Sequence, residues 1–418
     1  MSPFSPRVAI VGGGPSGLTL GVLLNNRNIP FTVFEYRAKP TEEELAKPSG
    51  MLDLHDESGL AALKECDLLD RFNELTGECS ESQRVADKDG NILYKDEGEL
   101  SQRPEISRHN LTKLLVERLP AERIKWGHKL LSATSLSATE RTEYELDFGP
   151  HGKYTFDIVV GADGAWSKVR SLLTKAKPQY EGRQSITLTV RNITNRWPHL
   201  SELIGTGSFS ALHNRHGVMS QRGPQDSARF YIFFTTPDEH FAKTKGIAGN
   251  SAASAKEKLL SDNTTLGSWG PKMKELVTVA CDEETRDNPN APIDIRPMYT
   301  LPENHSWAHK SGATLIGDAA HLMAPWAGEG VNLGMWDALD LSRAVTAAYY
   351  DTKSKDDMGF LQILDPLVVD VEEKMAARAK EKAEEVQVNG EMLFAEDGAK
   401  RFVEFFHRAY ANAGAGES

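Results

Sequence analysis

Residues 7–11, Arg-Val-Ala-Ile-Val, read as a short buried strand that runs into Gly12-Gly13-Gly14-Pro15-Ser16-Gly17 and then into a helical run over 18–25. The loop spells G-x-G-x-x-G at Gly12, Gly14 and Gly17, with Pro15 and Ser16 at the helix entry. The geometry needs each glycine, since Gly12 makes the tight turn, Gly14 lets backbone approach a pyrophosphate, and Gly17 allows close packing of helix on strand. The anion then sits at the positive end of the helix. A second strand over 31–35 closes a βαβ unit, and Glu35 ends it 18 residues after Gly17. There a carboxylate can accept hydrogen bonds from a ribose. A lone glycine motif is weak, but strand, loop, helix, strand and terminal acid in this order point to a dinucleotide on an α/β fold.

Two later segments extend the pattern. Over 157–170, DIVVGADGAWSKVR, an apolar strand runs into Asp163-Gly164, with Ser167 and Arg170 at the start of a helix. Alone, this is a strand ending in an N-capped helix. Over 313–342 an apolar strand leads into GDAAHLMAPWAGEGVNLGMWDALDLS, where Gly317, Asp318, Pro325, Gly328, Gly330 and Asn332 form a glycine-rich strand-turn-helix. Such a turn suggests backbone against a ligand rather than simple packing.

GxGxxG with Glu35, GADGAWSKVR and GDAAHLMAPWAGEG, spread in this order over residues 8–342, resemble the class A single-component FAD-dependent monooxygenases of the aromatic hydroxylase type. Three further segments are similar, more narrowly, to the tetracycline-inactivating flavin monooxygenases: GMLDLHDESGLAALKECDLL (50–69), RPEISRHNL (103–111) and TTPDEHF (235–241). The resemblance implies a p-hydroxybenzoate hydroxylase-like architecture. A discontinuous Rossmann-like FAD-binding domain would take 1–75, 100–178 and 298–360. An antiparallel β-sheet substrate domain would take 76–99 and 179–297, and a C-terminal helical segment 361–418. It also implies FAD as cofactor, NADPH or NADH as transient reductant and O2 as co-substrate. A flavin C4a-hydroperoxide would hydroxylate an aromatic or enolic polycycle, with epoxidation or Baeyer-Villiger insertion as variants. The flavin supplies the difficult step and the protein supplies orientation, dryness and electrostatics.

Site roles carry over where the motifs match. Asp318, after Gly317, would bind the ribityl and pyrophosphate region. The backbone of Gly330, Val331 and Asn332 would face the isoalloxazine, and Arg108 would reach the FAD. Glu35, Tyr36 and Arg37 would frame the adenosine ribose, although Tyr36 stands where relatives often place arginine. Asp163 would touch pyrophosphate and the NAD(P)H approach. Asp53 would hold flavin or pyridine nucleotide, or else serve as a turn acid. Pro325, Trp326 and Gly328 would line the cavity beside the flavin, with a core tryptophan as the alternative for Trp326. Candidates for substrate contact in the middle sheet are Thr187, Ser208, His213, Met219, Arg229 and Phe234. Counting back from the shared TPDE, the family's substrate-facing glutamine falls near Thr187, its arginine near Ser208 and its histidine near Arg229. None is a like-for-like residue, so tetracycline is not demanded as substrate. Arg229 either points inward to pair with an enolate or phenolate oxygen or outward as a solvated charge.

Composition excludes several rivals. Lys plus Arg 48 against Asp plus Glu 60 gives a net charge of -12, which disfavours nucleic acid and anionic membrane as partners. Cys66, Cys79 and Cys281 are an odd, scattered set without CxxC, so neither a disulfide framework nor a thiolate metal site is implied. The histidines show no HExxH or similar ligand spacing, and no metal is expected. Without a signal peptide or a run of some 18 apolar residues, a cytoplasmic, monomeric enzyme for a small molecule is expected.

Along the chain, 57–72 reads as one amphipathic helix, 84–95 as a hairpin turning at Asp89-Gly90, and 108–118 as a helix. SITLTV, SFSALH, HGVMSQ and ARFYIFF read as four antiparallel strands, 250–279 as helices and 366–393 as a long charged helix. Two other functions fit the same fold: a flavin oxidase or reductase, and a binding protein that has lost redox chemistry.

Overall fold

Val8–Val11 carries four consecutive apolar side chains, and the structure, a computed structural model describing residues 5–76, 80–98, 104–136, 143–351 and 357–415, buries all four. A run with no solvent face belongs in the middle of a parallel sheet covered on both sides. The sheet order is Ala313–Leu315, Ile158–Gly161, Val8–Val11, Thr32–Glu35, Ile124–Trp126, parallel throughout. The Pro15–Asn26 helix connects the central strands and packs on the Gly330–Tyr350 helix. All three glycine motifs therefore leave neighbouring strands of one sheet, at one end of it. Cys79 and Arg103 lie outside the described residues.

The second sheet has seven strands, in the order Asp294–Thr300, Gln179–Val190, Ser227–Thr235, His216–Gly223, Ser208–His213, Gln83–Ala86, Ile92–Asp96. Neighbours are antiparallel except Ser208–His213 with Gln83–Ala86. The four expected strands and the hairpin at Asp89-Gly90 are all present. Asn214 and Arg215, both at positive φ (45° and 65°), make the two-residue turn between Ser208–His213 and His216–Gly223. One face buries Ile186, Leu188, Phe230, Ile232 and Phe234 against the helices Ala252–Ser261 and Pro271–Asp287. The other looks toward the glycine-rich loops, with Gly50 against Tyr231 and Arg229. A two-stranded ribbon, Met51–Asp53 with Glu105–Ser107, bridges to it: the Met51 sulfur reaches Gly223.

Two helical expectations need correction. The stretch 57–72 is two helices, Gly59–Glu65 and Leu69–Asn73, broken where Asp67 takes the left-handed conformation (φ 57°). Aspartate tolerates that geometry better than most residues, and the apolar periodicity does not reveal it. The long helix starts not at Pro366 but at Asp357, and runs to Leu393 with the proline inside. Pro366 withholds one backbone donor, a cost of about 3 kcal/mol. Phe360, Leu364, Val368, Val371 and Met375 are all buried in the main core from this helix, and each is worth about 1.5–3 kcal/mol, so burial wins. A second helix, Gly398–Ala415, sets Phe402 and Phe406 against Tyr94 at the edge of the seven-stranded sheet. No helix among the described residues is long and apolar enough to cross a membrane. Cys66 and Cys281 are buried thiols whose pKa burial pushes up to about 12, so neither is a thiolate near neutrality.

Candidate active site

The first loop is built from contacts that only glycine permits. A Cβ on Gly12 (φ 114°) would stand 2.0 Å from the Ala162 carbonyl oxygen, and one on Gly17 would stand 2.1 Å from the Gly12 carbonyl oxygen. A Cβ on Gly14 would meet nothing within 4 Å, so this peptide faces open space at the start of its helix, where no side chain caps the free N–H groups. Ser16 packs its hydroxyl into a notch between Gly317 and Gly334, fastening the first motif to the third. Glu35 is buried and accepts from the Gly13 N–H (2.7 Å) and the Arg37 N–H (2.9 Å), so it braces the loop as well as ending its strand. Tyr36 is exposed, with the Arg37 guanidinium 4.9 Å from its ring centre.

Asp163 turns both oxygens to its own chain, accepting from Ser167 Oγ (2.5 Å) and the Lys168 N–H (2.7 Å). Burial pushes its pKa up against the pull of those donors. The capping role expected of an isolated turn is thus real, and Gly164 beside it leaves open space where a Cβ would be. Arg170, which the sequence marks only as part of its motif, is the joint between motifs. Fully buried, it donates to the carbonyl oxygens of Ala319 (2.8 Å), Asp318 (3.1 Å) and Ala165 (2.9 Å). Burial lowers its pKa, with Asp163 and Asp318 opposing.

Asp318 projects into solvent yet is ringed by protein. Burial raises its pKa against the attraction of His321, Arg108 and Arg170, and its carboxylate has no hydrogen-bond partner among the described residues. Arg108 opens the helix Arg108–Glu117, exposed, its N–H on the Gly50 carbonyl (2.9 Å). Beneath the loop, the wholly buried Asp337 accepts from the Gly317 N–H (3.0 Å) and pairs with His321 (2.6 Å) and Arg378 (3.3 Å). Neither Asp337 nor Arg378 is legible in the sequence as a site residue, because both act from helix interiors far along the chain.

Asn332 does more with its side chain than with its backbone. It accepts from the His55 N–H (2.9 Å) and Ser58 Oγ (3.2 Å) and donates to the Asp53 carbonyl (3.0 Å), clamping the Asp53–His55 turn to the Gly330–Tyr350 helix. The Asp53 carboxylate approaches Gly328 and His55 Nε2 (3.2 Å), and His55 Nδ1 faces Glu329 (3.5 Å). Pro325 and Gly328 are exposed, and Gly330 would leave a Cβ in open space. Val331 is half-buried against the core.

Register sorts the substrate candidates. Thr187 stands opposite Tyr231, which stands opposite Met219; Thr189, Arg229 and Gln221 form the next row, and Ser208 lies across from Gln221. These share the face that Gly50 covers: a Cβ there would meet Tyr231 Oη at 2.7 Å and Arg229 Cδ at 4.0 Å. Arg229 therefore points inward. It donates to Thr189 Oγ1 (2.9 Å) and has no carboxylate within ion-pair reach among the described residues. Phe234 and His213 are corrections: strand alternation puts both on the opposite face, Phe234 in the helix-covered core against Phe241, and His213 at the hairpin end. Tyr231, Phe233 and Gln221 take the inward places that alternation denies them. Trp326 is a packed wall: its indole meets Phe233 (4.9 Å) and Phe394 (4.7 Å) edge-on and donates to Glu181 (3.2 Å).

Open backbone at Gly14, Gly164 and Gly330, two uncapped helix starts and an unpaired carboxylate at Asp318 fit an FAD laid along the ends of the strands. Comparison with known proteins agrees. Residues 6–358 match a family model described as an FAD binding domain. Monooxygenase penA of Penicillium thymicola is 33% identical over 425 residues, covering 94% of this chain and 97% of that one. Monooxygenase asqM of Emericella nidulans is 34% identical over 382 residues, covering 83% and 85%. The solved tetracycline destructase Tet(55) shares the fold, with TM-score 0.69, 17% identity and coverage of 98% and 96%. The chain belongs to this FAD-binding family and is a class A FAD-dependent monooxygenase of the aromatic hydroxylase type.

Proposed function

We propose that the enzyme uses NADPH or NADH and O2 to hydroxylate a planar aromatic or enolic secondary metabolite that presents an anionic or carbonyl oxygen. Bound FAD supplies reduction by NAD(P)H and activation of oxygen. Per turnover, substrate, O2, NAD(P)H and a proton give hydroxylated product, NAD(P)+ and water. The observation that carries the reading is the gradient across the sheet face: Gln221, Arg229 and Thr189 in one row, Met219, Tyr231 and Thr187 in the next, then Phe233 against Trp326. Arg229 would hold the oxygen and raise electron density on the adjacent carbon, while Tyr231, Phe233 and Trp326 form an aromatic wall on one side of the ring and exclude water. Asp318, Arg108 and the glycine loops would bind FAD, with Glu35 at the ribose and Asp53 beside the flavin loop.

The test is NAD(P)H consumption and oxygen uptake screened over phenols, indoles and tetracyclines, with product identified. Substrate-dependent consumption with stoichiometric hydroxylated product supports the reading. Oxygen uptake that yields only hydrogen peroxide with every compound would make the protein an oxidase instead.

A further inference from the structure

Glu329 stands inside the glycine-rich loop 328–332, between Gly328 at positive φ (71°) and the open backbone of Gly330. Its side chain is only 10% exposed, and its two oxygens face different partners. Oε1 pairs with Lys382 Nζ at 2.7 Å, and Oε2 faces His55 Nδ1 at 3.5 Å. The other nitrogen of that imidazole, Nε2, meets Asp53 Oδ2 at 3.2 Å. Asp53 Oδ1 in turn would lie 3.6 Å from a Cβ on Gly328, back at the loop. Four side chains from three distant parts of the chain thus form a file of lysine, glutamate, histidine and aspartate along one loop.

Lys382 is the outer end of that file. It stands on the Asp357–Leu393 helix, partly exposed, and also touches Glu385 at 3.1 Å. Its hydrogen bond to Glu329 raises its pKa despite partial burial, so the ammonium stays charged through the neutral range. Without it, a nearly buried carboxylate would face only an imidazole. A charge held where water is scarce acts strongly on its neighbours. An FAD in this loop becomes more negative on reduction, because a hydride brings two electrons and one proton, and the ring keeps the extra charge unless a second proton follows. A carboxylate beside it opposes that gain, and a lysine that cancels the carboxylate favours it.

We propose that Lys382 is a positioning residue for the cofactor loop, holding Glu329 in place and cancelling its charge, and that it thereby sets the reduction potential of the bound FAD. It acts through Glu329 and does not itself touch the cofactor. The inference rests on the reading that residues 328–332 face FAD, and it is independent of the substrate.

The midpoint potential of the bound flavin, measured by equilibration with reference dyes, and the FAD dissociation constant, measured by flavin fluorescence, test it. Lys382→Met is expected to move the potential to a more negative value and to raise the dissociation constant at least about threefold. Glu329→Gln should move the potential the opposite way, since Lys382 is then uncompensated, and Lys382→Arg should stay near wild type. A merely structural joint would loosen the loop in both Lys382→Met and Glu329→Gln and shift them in one direction. Shifts of the same sign, or a Lys382→Met protein with wild-type potential and affinity, overturn the proposal. If Lys382→Met does not fold with FAD, Glu329→Gln decides: a raised potential supports the proposal, and an unchanged or lowered one overturns it. Asp318→Ala keeps the two readings apart, because loss of FAD there with an unchanged potential in Lys382→Met leaves the cofactor site standing and removes only the role of Lys382.

Discussion

His321 and Asp337 form an ion pair sealed in the protein, Nε2 to Oδ2 2.6 Å, and the same Asp337 oxygen accepts the Gly317 N–H that opens the third flavin loop. The pair lies beneath the Gly317 loop. Burial lowers the His321 pKa, Asp337 more than restores it, and the folded value ends above the ordinary 6.5. A raised folded value stabilises fully below about pH 6.5 and loses that stabilisation as pH climbs through it. The unfolding free energy of wild type minus that of His321→Gln, by urea titration from about pH 6 to about pH 9, should therefore shrink with pH. A flat difference would show that His321 does not titrate with folding. Asp337→Asn strands a buried imidazole and should cost about 3–5 kcal/mol in the same assay.

Arg170 holds four carbonyl groups from two motifs with one planar guanidinium. Lysine has the charge but not the fork. Arg170→Lys should lower the melting temperature and the flavin content together, since the loops separate when the joint fails. A variant with full flavin and an unchanged melting curve would mean that the motifs are held elsewhere.

Asp318 and Glu35 are both acids at strand ends, but their surroundings differ. Asp318 is unpaired and reached by solvent, while Glu35 is buried on two backbone donors. Asp318→Ala should leave stability within about 0.5 kcal/mol, as for an exposed site, while releasing FAD. Glu35→Ala strands two N–H groups and should cost about 1–3 kcal/mol, weakening FAD through the loop. Stoichiometric flavin retained by Asp318→Ala would remove that residue from the cofactor site.

The glycine loops, the parallel sheet and the four middle strands are legible in the sequence because each follows from short-range rules: apolar runs, turn residues and positions where only glycine fits. Register is not. Phe234 and Arg229 lie on one strand and both suit a single cavity by residue type, yet the odd separation between them sends them to opposite faces. The buried supports escape for a different reason. Asp337, Arg378 and the side chain of Asn332 act across 16 to 279 residues of sequence, on groups whose need for a partner appears only once the loops are folded. The break at Asp67 and the helix that passes through Pro366 show tertiary burial and a single left-handed residue overruling periodicity.

Trp326 is gripped by Glu181, by Asn389 on its carbonyl (3.0 Å), and by the rings of Phe233 and Phe394. Trp326→Ala should cost about 3–5 kcal/mol in stability. With flavin still bound, it should raise hydrogen peroxide and lower product per NAD(P)H, because water reaches the flavin side. Trp326→Phe keeps an aromatic wall and should stay close to wild-type coupling. A folded, flavin-loaded alanine variant with normal coupling would take Trp326 out of the cavity wall.

Arg229 is the sharpest test of substrate recognition. Its guanidinium, half-buried beneath Gly50, has a threonine hydroxyl as partner and no carboxylate among the described residues, so its charge is available to a ligand. Gln221, its cross-strand neighbour, is already committed to Glu105 (3.1 Å), which fixes one edge of the row and leaves the arginine as the charged contact open to a ligand. A charge-assisted hydrogen bond to an enolate or phenolate in such a place is worth about 1.5–3 kcal/mol. Arg229→Met, similar in length and uncharged, should raise the substrate dissociation constant at least tenfold, about 1.4 kcal/mol, measured through the perturbation of flavin absorbance on titration. Arg229→Lys should recover part of that loss, since it restores charge without the planar donors. The flavin spectrum without substrate should be the same in all three proteins. An unchanged dissociation constant in Arg229→Met would move recognition to Thr187 and Tyr231, in the neighbouring row, and remove the reason to expect an anionic oxygen on the substrate.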